Sequence, residues 1–345
     1  MKKTVSLLAF LTTVMLLLAA CGEKTQEDVI EDLDKTLDGL TGYKAQATMT
    51  LQTGEEPQVY EVEVWHKDPT LYRVALNNAE KEHGQIILRN EDGVFVLTPA
   101  LNKSFRFQSD WPENNSQVYL YESLVNDILM DPERTFSATE DHYVFQTNTN
   151  YSNKNLNQQE VMLNKGDLSP ASAKIMDVDL KVLVEVEFTN FEMNATFNDG
   201  DFDMDRNMTA ARIDMDVPTL AEGEPLEEEP FTVYYPMFSP DGTQLEHSEE
   251  VETESGKRVI LSYDGQQPFT LVQQRSRVVE ASTPVDIVSG EPIDIGFTYG
   301  ALTKEGDTKT VSWSYNGTDF FLASKHLSEE ELAAIARSVY GTEEK

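Results

Sequence analysis

The sequence predicts an α+β protein in which a curved antiparallel sheet wraps around helices, followed by a smaller α+β domain. Three observations lead there. Short runs of strand-like alternation recur between Tyr43 and Phe191, preceded by one stretch of helical spacing and interrupted by another. An acidic, proline-punctuated run at 216–230 then separates this part from a second strand-rich part. The expected organisation is a signal peptide over 1–20, a lipidated tether over 21–26, a first domain over 27–215, a linker over 216–230 and a second domain over 231–341.

The chain begins with Lys2 and Lys3, then a nearly uncharged apolar stretch from Val5 to Leu18 closed by small residues, the layout of a secretory signal peptide. That stretch is too short and too abruptly ended to be a comfortable membrane span. Leu18-Ala19-Ala20-Cys21 matches the lipobox, in which small residues admit the signal peptidase and the cysteine thiol accepts a diacylglycerol. Cys21 is the only cysteine, so a disulfide, a thiolate metal site and a Cys-His nucleophile are excluded. The expected address is the extracytoplasmic face of the cell membrane, held by the Cys21 lipid. The 345 residues carry 27 basic against 61 acidic side chains, a formal charge of −34, and two of the lysines lie in the leader. Such a surface repels nucleic acid and anionic head groups and keeps an exported protein dispersed.

After a short polar tether, Val29, Ile30, Leu33, Leu37 and Leu40 recur at helical spacing, and Gly42 stops that helix. Strands follow at Lys44 to Leu51, Val59 to Trp65, Leu71 to Leu76, Gly84 to Arg89 and Val94 to Thr98, the last entered through the Asp92-Gly93 turn. Beyond Trp111-Pro112 the texture returns to helix over Tyr119 to Met130, with an apolar stripe wider than a surface helix needs. Strands resume at Tyr143 to Thr147, Glu160 to Leu163, Ala173 to Val178 and Val182 to Phe191. In the linker, Pro218, Pro225 and Pro230 stand among Glu222, Glu224 and Glu227 to Glu229, which predicts an extended segment and two domains free to reorient. The second unit has turn signals at Ser255-Gly256, Ser289-Gly290 and Asn316-Gly317. It closes on a helix with Ser328 as N-cap and Glu331 three residues on, a capping box.

Several stretches carry a resemblance. Leu37-Asp38-Gly39-Leu40-Thr41-Gly42-Tyr43-Lys44-Ala45, Val64-Trp65-His66-Lys67-Asp68-Pro69-Thr70-Leu71-Tyr72-Arg73, Asp92-Gly93-Val94-Phe95-Val96-Leu97-Thr98-Pro99 and Val186-Glu187-Phe188-Thr189-Asn190-Phe191 stand in the order of the LolA/LolB-type lipoprotein carrier superfamily. The chain resembles that superfamily over roughly 27–205, in the membrane-anchored, sporulation-associated form of Gram-positive bacteria. Val311 to Gly317 and Leu327 to Leu332 are similar to the closing part of an extracellular domain, DUF4367. The resemblance implies a half-open antiparallel β-barrel with a helical lid, whose concave apolar face holds acyl chains. Two departures bear on this. Soluble shuttles have no anchor such as Cys21, and Asp68 stands where the shuttle has the arginine that latches its lid. Arg73 matches the sheet arginine of the wider family without an assignable gating role.

Local chemistry is sparse. The five histidines, His66, His83, His142, His247 and His326, show no H-x-x-x-H spacing, and no G-x-S-x-G, S-x-x-K or Gly-rich phosphate loop occurs, so neither a catalytic residue nor a metal or other cofactor is expected. Asp199-Gly200-Asp201-Phe202-Asp203-Met204-Asp205 departs from the EF-hand pattern at Arg206 and lacks the distal bidentate acid; a solvated strand with Phe202 and Met204 inward is the simpler expectation.

The helix Tyr119 to Met130 leaves two readings open. Over a tightly filled sheet its stripe is core. Over an underfilled one, Leu120, Leu124, Val125, Ile128 and Leu129 form a lid against a lipid tail, with Trp65, Tyr72, Val74, Ile87, Phe95, Phe105 and Phe107 as wall. The leading expectation is a tethered lipoprotein binding a lipid or lipoprotein acyl chain. The competing one is a lipoprotein that binds an envelope protein partner and carries no lipid.

Overall fold

The computed structural model describes residues 24–52, 57–78, 84–107, 111, 117–151, 156–214, 231–253, 256–276, 286–296, 299–315 and 317–340. Cys21, His83 and the 216–230 segment lie outside them. Helix α1 (Gln26–Asp38) starts at Thr25, whose hydroxyl accepts from Asp28 N while the Asp28 carboxylate returns to Thr25 N. It buries Val29 and Leu33. Six strands follow: β1 (Gly42–Leu51), β2 (Gln58–Lys67), β3 (Leu71–Asn78), β4 (Gln85–Asn90), β5 (Gly93–Thr98) and β6 (Lys103–Phe107). Helix α2 (Tyr121–Met130) interrupts them, then β7 (Thr135–Ala138), β8 (His142–Asn148), β9 (Gln158–Asn164), β10 (Pro170–Met176) and β11 (Val182–Met193) complete the first half, ahead of helix α3 (Met204–Asp214).

The second half runs β12 (Tyr235–Pro236), β13 (Thr243–Thr253), β14 (Gly256–Gly265), β15 (Phe269–Arg275), β16 (Asp286–Asp294), β17 (Tyr299–Glu305), β18 (Thr308–Tyr315), β19 (Thr318–Ser324), α4 (Glu329–Arg337) and β20 (Val339–Tyr340). The α+β expectation needs correcting in balance. The fold is mostly β, with 54% of the described residues in strands and few helices. Eighteen strands form one open sheet in the order β7-β8-β9-β10-β11-β1-β2-β3-β4-β5-β6-β16-β17-β18-β19-β15-β14-β13. Every neighbouring pair is antiparallel except β6 with β16, which run parallel from Lys103↔Asp286 to Phe107↔Gly290. The Ser289-Gly290 pair, expected as a turn, lies inside β16. Gly290 is there for close approach, since a Cβ would stand 2.9 Å from the Leu302 carbonyl oxygen.

That parallel pairing joins the two halves, and one apolar core runs from Val29 in α1 to Val339 beside α4. Polar ties add to it: Lys103 pairs with Asp319, Gln85 Nε2 donates to the Ser314 carbonyl (3.1 Å), and Gln117 Nε2 donates to the Tyr299 hydroxyl (3.0 Å). The two halves therefore share the interface whose absence the acidic linker suggested, because strand pairing between distant segments leaves no local mark in a sequence. The free edges are protected in different ways. Strand β7 is four residues long, and β13 carries Glu246, Glu249, Glu250 and Glu252, charges that discourage edge-to-edge pairing.

Candidate functional site

Two helices cover the concave face of the first half. Helix α2 turns Leu124, Val125 and Ile128 into the sheet, and Leu120 just before it is 1% exposed. Leu129 packs against the same cluster while half-buried. From the wall, Tyr72, Val74, Ile87, Phe105 and Phe107 join this concave core. Trp65 and Phe95 do not. They stand on the convex face, in a second cluster with Ala75, Ile86, Leu88 and Leu97 that α3 covers through Met208. Strands β3 to β5 are thus buried on both faces, and where both sides of a sheet are apolar, alternation alone cannot say which side a residue faces. Arg73 also belongs to the convex face: its Nε donates to Asn207 Oδ1 at 2.7 Å, it pairs with Glu63, and its guanidinium lies 4.4 Å from the Trp65 ring. It braces α3 against the sheet.

Little free space shows under the lid among the described residues. A cavity of about 70 Å³ lies there, walled by Met49, Leu51, Leu76, Ile87, Ile175 and Val184 from the sheet and by Tyr119, Tyr151, Tyr299 and Arg337. Ligand pockets run to roughly 300–1,000 Å³, so this space suits a few waters and not an acyl chain. Its far wall comes from the second half of the chain, through Asp294, Tyr299 and Arg337.

A larger space opens outside the lid. The cleft between α1, α2 and the β2–β3 turn measures about 700 Å³ and is lined by Leu37, Leu40, His66, Asp68, Tyr72, Glu122, Asn126, Asp127, Met130, Asp131 and Asn148 among others. His66 sits at its floor, 3% exposed. The ring stacks on Tyr72 with centroids 4.3 Å apart, Nδ1 lies 3.2 Å from the Leu71 carbonyl oxygen, and Nε2 lies 2.8 Å from Glu122 Oε1. Tyr43 completes the group: its hydroxyl donates to Glu122 Oε2 (2.9 Å) and accepts from Tyr121 N (3.1 Å). Helix α2 has no side-chain cap of its own, so Tyr43 supplies a partner to one of its first free N–H groups. Burial first, and the Glu122 carboxylate second, push the Tyr43 hydroxyl well above its ordinary range. His66, Glu122 and Tyr43 together tie the lid helix to the sheet.

The acidic stretch at 199–205 makes local backbone contacts. Asp201 Oδ2 accepts from Asn198 N (2.8 Å), and Asp203 Oδ1 accepts from Arg206 N (2.8 Å), so these carboxylates close a turn and start α3. Phe202 is buried, as expected, although the segment is a turn and helix start and not a strand. Among the described residues no three His, Cys, Asp or Glu side chains gather as a metal site.

A family described as "Sporulation protein YdcC-like" matches residues 1–202, and DUF4367 matches residues 233–339. The sporulation protein YdcC of Bacillus subtilis strain 168 is 50% identical over 345 residues, all of this chain and 98% of its own length. The chain belongs to the YdcC-like sporulation protein family. Solved structures resemble it more distantly. The Pseudomonas aeruginosa MucA/MucB complex covers 89% of this chain and 98% of its own at 12% identity and a TM-score of 0.29. The LolA superfamily protein NE2245 from Nitrosomonas europaea covers 53% and 100% at 12% identity and 0.30. The complex of the CwlD amidase with the GerS lipoprotein from Clostridioides difficile covers 51% and 98% at 15% identity and 0.22. Likenesses of this degree carry no argument about ligand or partner.

Proposed function

We propose that this family member is a non-enzymatic lipoprotein, tethered to the extracytoplasmic face of the membrane through Cys21, that serves sporulation by binding a protein partner and not by carrying an acyl chain. The observation that carries the reading is the contrast in free space. Among the described residues a cavity of about 70 Å³ lies behind the lid, while about 700 Å³ lies open outside it. An acyl chain gains roughly 0.8 kcal/mol per buried methylene, and here it would first have to displace Leu120, Leu124, Val125 and Ile128, each of which gives up about 1.5–3 kcal/mol on exposure. The cleft sets carboxylates and amides beside Leu37, Leu40 and Met130, a mixed lining that suits a peptide. The tether rests on the lipobox at Cys21, and the absence of any nucleophile or metal motif in the sequence supports a non-catalytic role.

The test is a cross-linked pull-down of the full-length, lipidated chain from membranes of sporulating cells. The reading expects one envelope protein at near-stoichiometric yield that survives a detergent wash. Recovery of lipid in place of such a protein would favour carriage.

A further inference from the structure

We infer that the cleft between α1, α2 and the β2–β3 turn receives an extended basic segment of the partner protein, an inference that rests on the protein-binding reading and specifies its site. Among the described residues, four carboxyl groups line the cleft, those of Asp68, Glu122, Asp127 and Asp131, and no lysine or arginine does. His66 is the one basic side chain on its wall, and it is committed to Glu122 and the Leu71 carbonyl. Asp131 is held in place by neutral donors, the backbone N–H groups of Glu133 and Asn148 and the Asn148 side-chain amide, which orient the carboxylate. A partner bearing lysine or arginine meets complementary charge here, and the overall −34 draws it in from a distance.

The remaining lining suits a main chain. Ser123, Asn126 and Asn148 present hydroxyl and amide groups that both donate and accept, as a peptide backbone requires. Leu37, Leu40 and Met130 give apolar contact, and Met130, 81% exposed at the end of α2, is an unbranched side chain that adapts to its neighbour. A glycan fits less well. Sugar rings pack on open aromatic faces, and the cleft's Tyr72 is 6% exposed and covered by His66. A volume near 700 Å³ is enough for a few residues of extended chain with their side chains.

Photo-cross-linking in sporulating Bacillus subtilis expressing the full-length chain tests this, with p-benzoylphenylalanine replacing Met130 at the cleft rim or Glu249 on the exposed edge strand β13. The expected result is a cross-link from position 130 to a protein segment of net positive charge. Asp68→Lys and Asn126→Lys, both at exposed positions where folding is not at issue, should each lower its yield at least five-fold. A cross-link from position 249 alone, or one from position 130 to an acidic segment or a glycan, or one indifferent to both lysine substitutions, overturns the cleft assignment and leaves protein binding standing. No cross-link from either position overturns both.

Discussion

His66 Nε2 lies 2.8 Å from Glu122 Oε1, and the same ring's Nδ1 lies 3.2 Å from the Leu71 carbonyl oxygen. A carbonyl can only accept, so Nδ1 carries a proton. The 2.8 Å approach of Nε2 to Oε1 sets the ring against the Glu122 carboxylate. This pair fastens the lid helix α2 to strand β2 beneath a wall of tyrosines. Removing one member leaves the other buried without its partner, a loss on the order of 3 kcal/mol. His66→Ala and Glu122→Ala should each lower the urea midpoint by a matching amount, and the double variant should cost far less than the sum of the two. Additive losses would mean that the two side chains do not act together.

Asp319 joins the halves in a comparable way. Its carboxylate pairs with Lys103 and accepts hydroxyl hydrogens from Ser276 (2.6 Å) and Ser314 (2.7 Å), all within a buried pocket. With β6 and β16 also paired, the two halves should melt in one calorimetric transition, and a protease cut within 217–230 should leave them associated on a sizing column. Asp319→Ala should lower that single transition or split it in two. Separate melting of the intact wild-type halves would contradict the shared core.

Alkali should unfold the protein early. Tyr43, Tyr119, Tyr121 and Tyr151 are buried, and burial raises each hydroxyl above the usual 10.0. A raised folded-state value means that the neutral form is favoured by folding. The contribution is complete below pH 10 and is lost as pH climbs through the folded-state values. Denaturant melts between pH 8 and 12 should show stability falling only above about 10. A flat profile would mean that these hydroxyls reach water.

The closing helix has its own signature. Ser328 Oγ accepts from Glu331 N (3.2 Å), and Glu331 Oε2 accepts from Ser328 N (2.7 Å). Ser328→Ala should cost about 1 kcal/mol of stability. The bonds from the Ser328 backbone and then from its hydroxyl hold the Glu331 carboxyl below its ordinary 4.5, so this contribution is present above that value and is lost as pH falls beneath it. The gap in melting temperature between wild type and Ser328→Ala should therefore narrow below pH 4.5.

Local signals in the sequence foretold local structure. The helix expected from Val29, Leu33 and Leu37 is α1, the capping box at Ser328 opens α4, and Asp92-Gly93 leads into β5. Helix α3 carries no such signal, because Met204, Met208 and Ala211 form a thin stripe among charges and the acids before them suit a strand. Long-range relations were equally silent. Nothing in β6 announces β16, and the faces of Trp65 and Phe95 depend on α3 arriving over strands that are apolar on both sides. The His66–Glu122 pair joins residues 56 positions apart, and its only trace was a histidine among strand residues where an apolar side chain would otherwise point inward.

Native mass spectrometry of a Cys21→Ser chain, purified from sporulating cells without harsh detergent, addresses the central claim that the half-barrel is a closed core whose ligand is a protein. The account predicts a bare polypeptide mass with no adduct, and no uptake when the purified chain is mixed with a fatty acid or phospholipid. A stoichiometric adduct of lipid mass, abolished by Leu124→Trp under the lid, would contradict it.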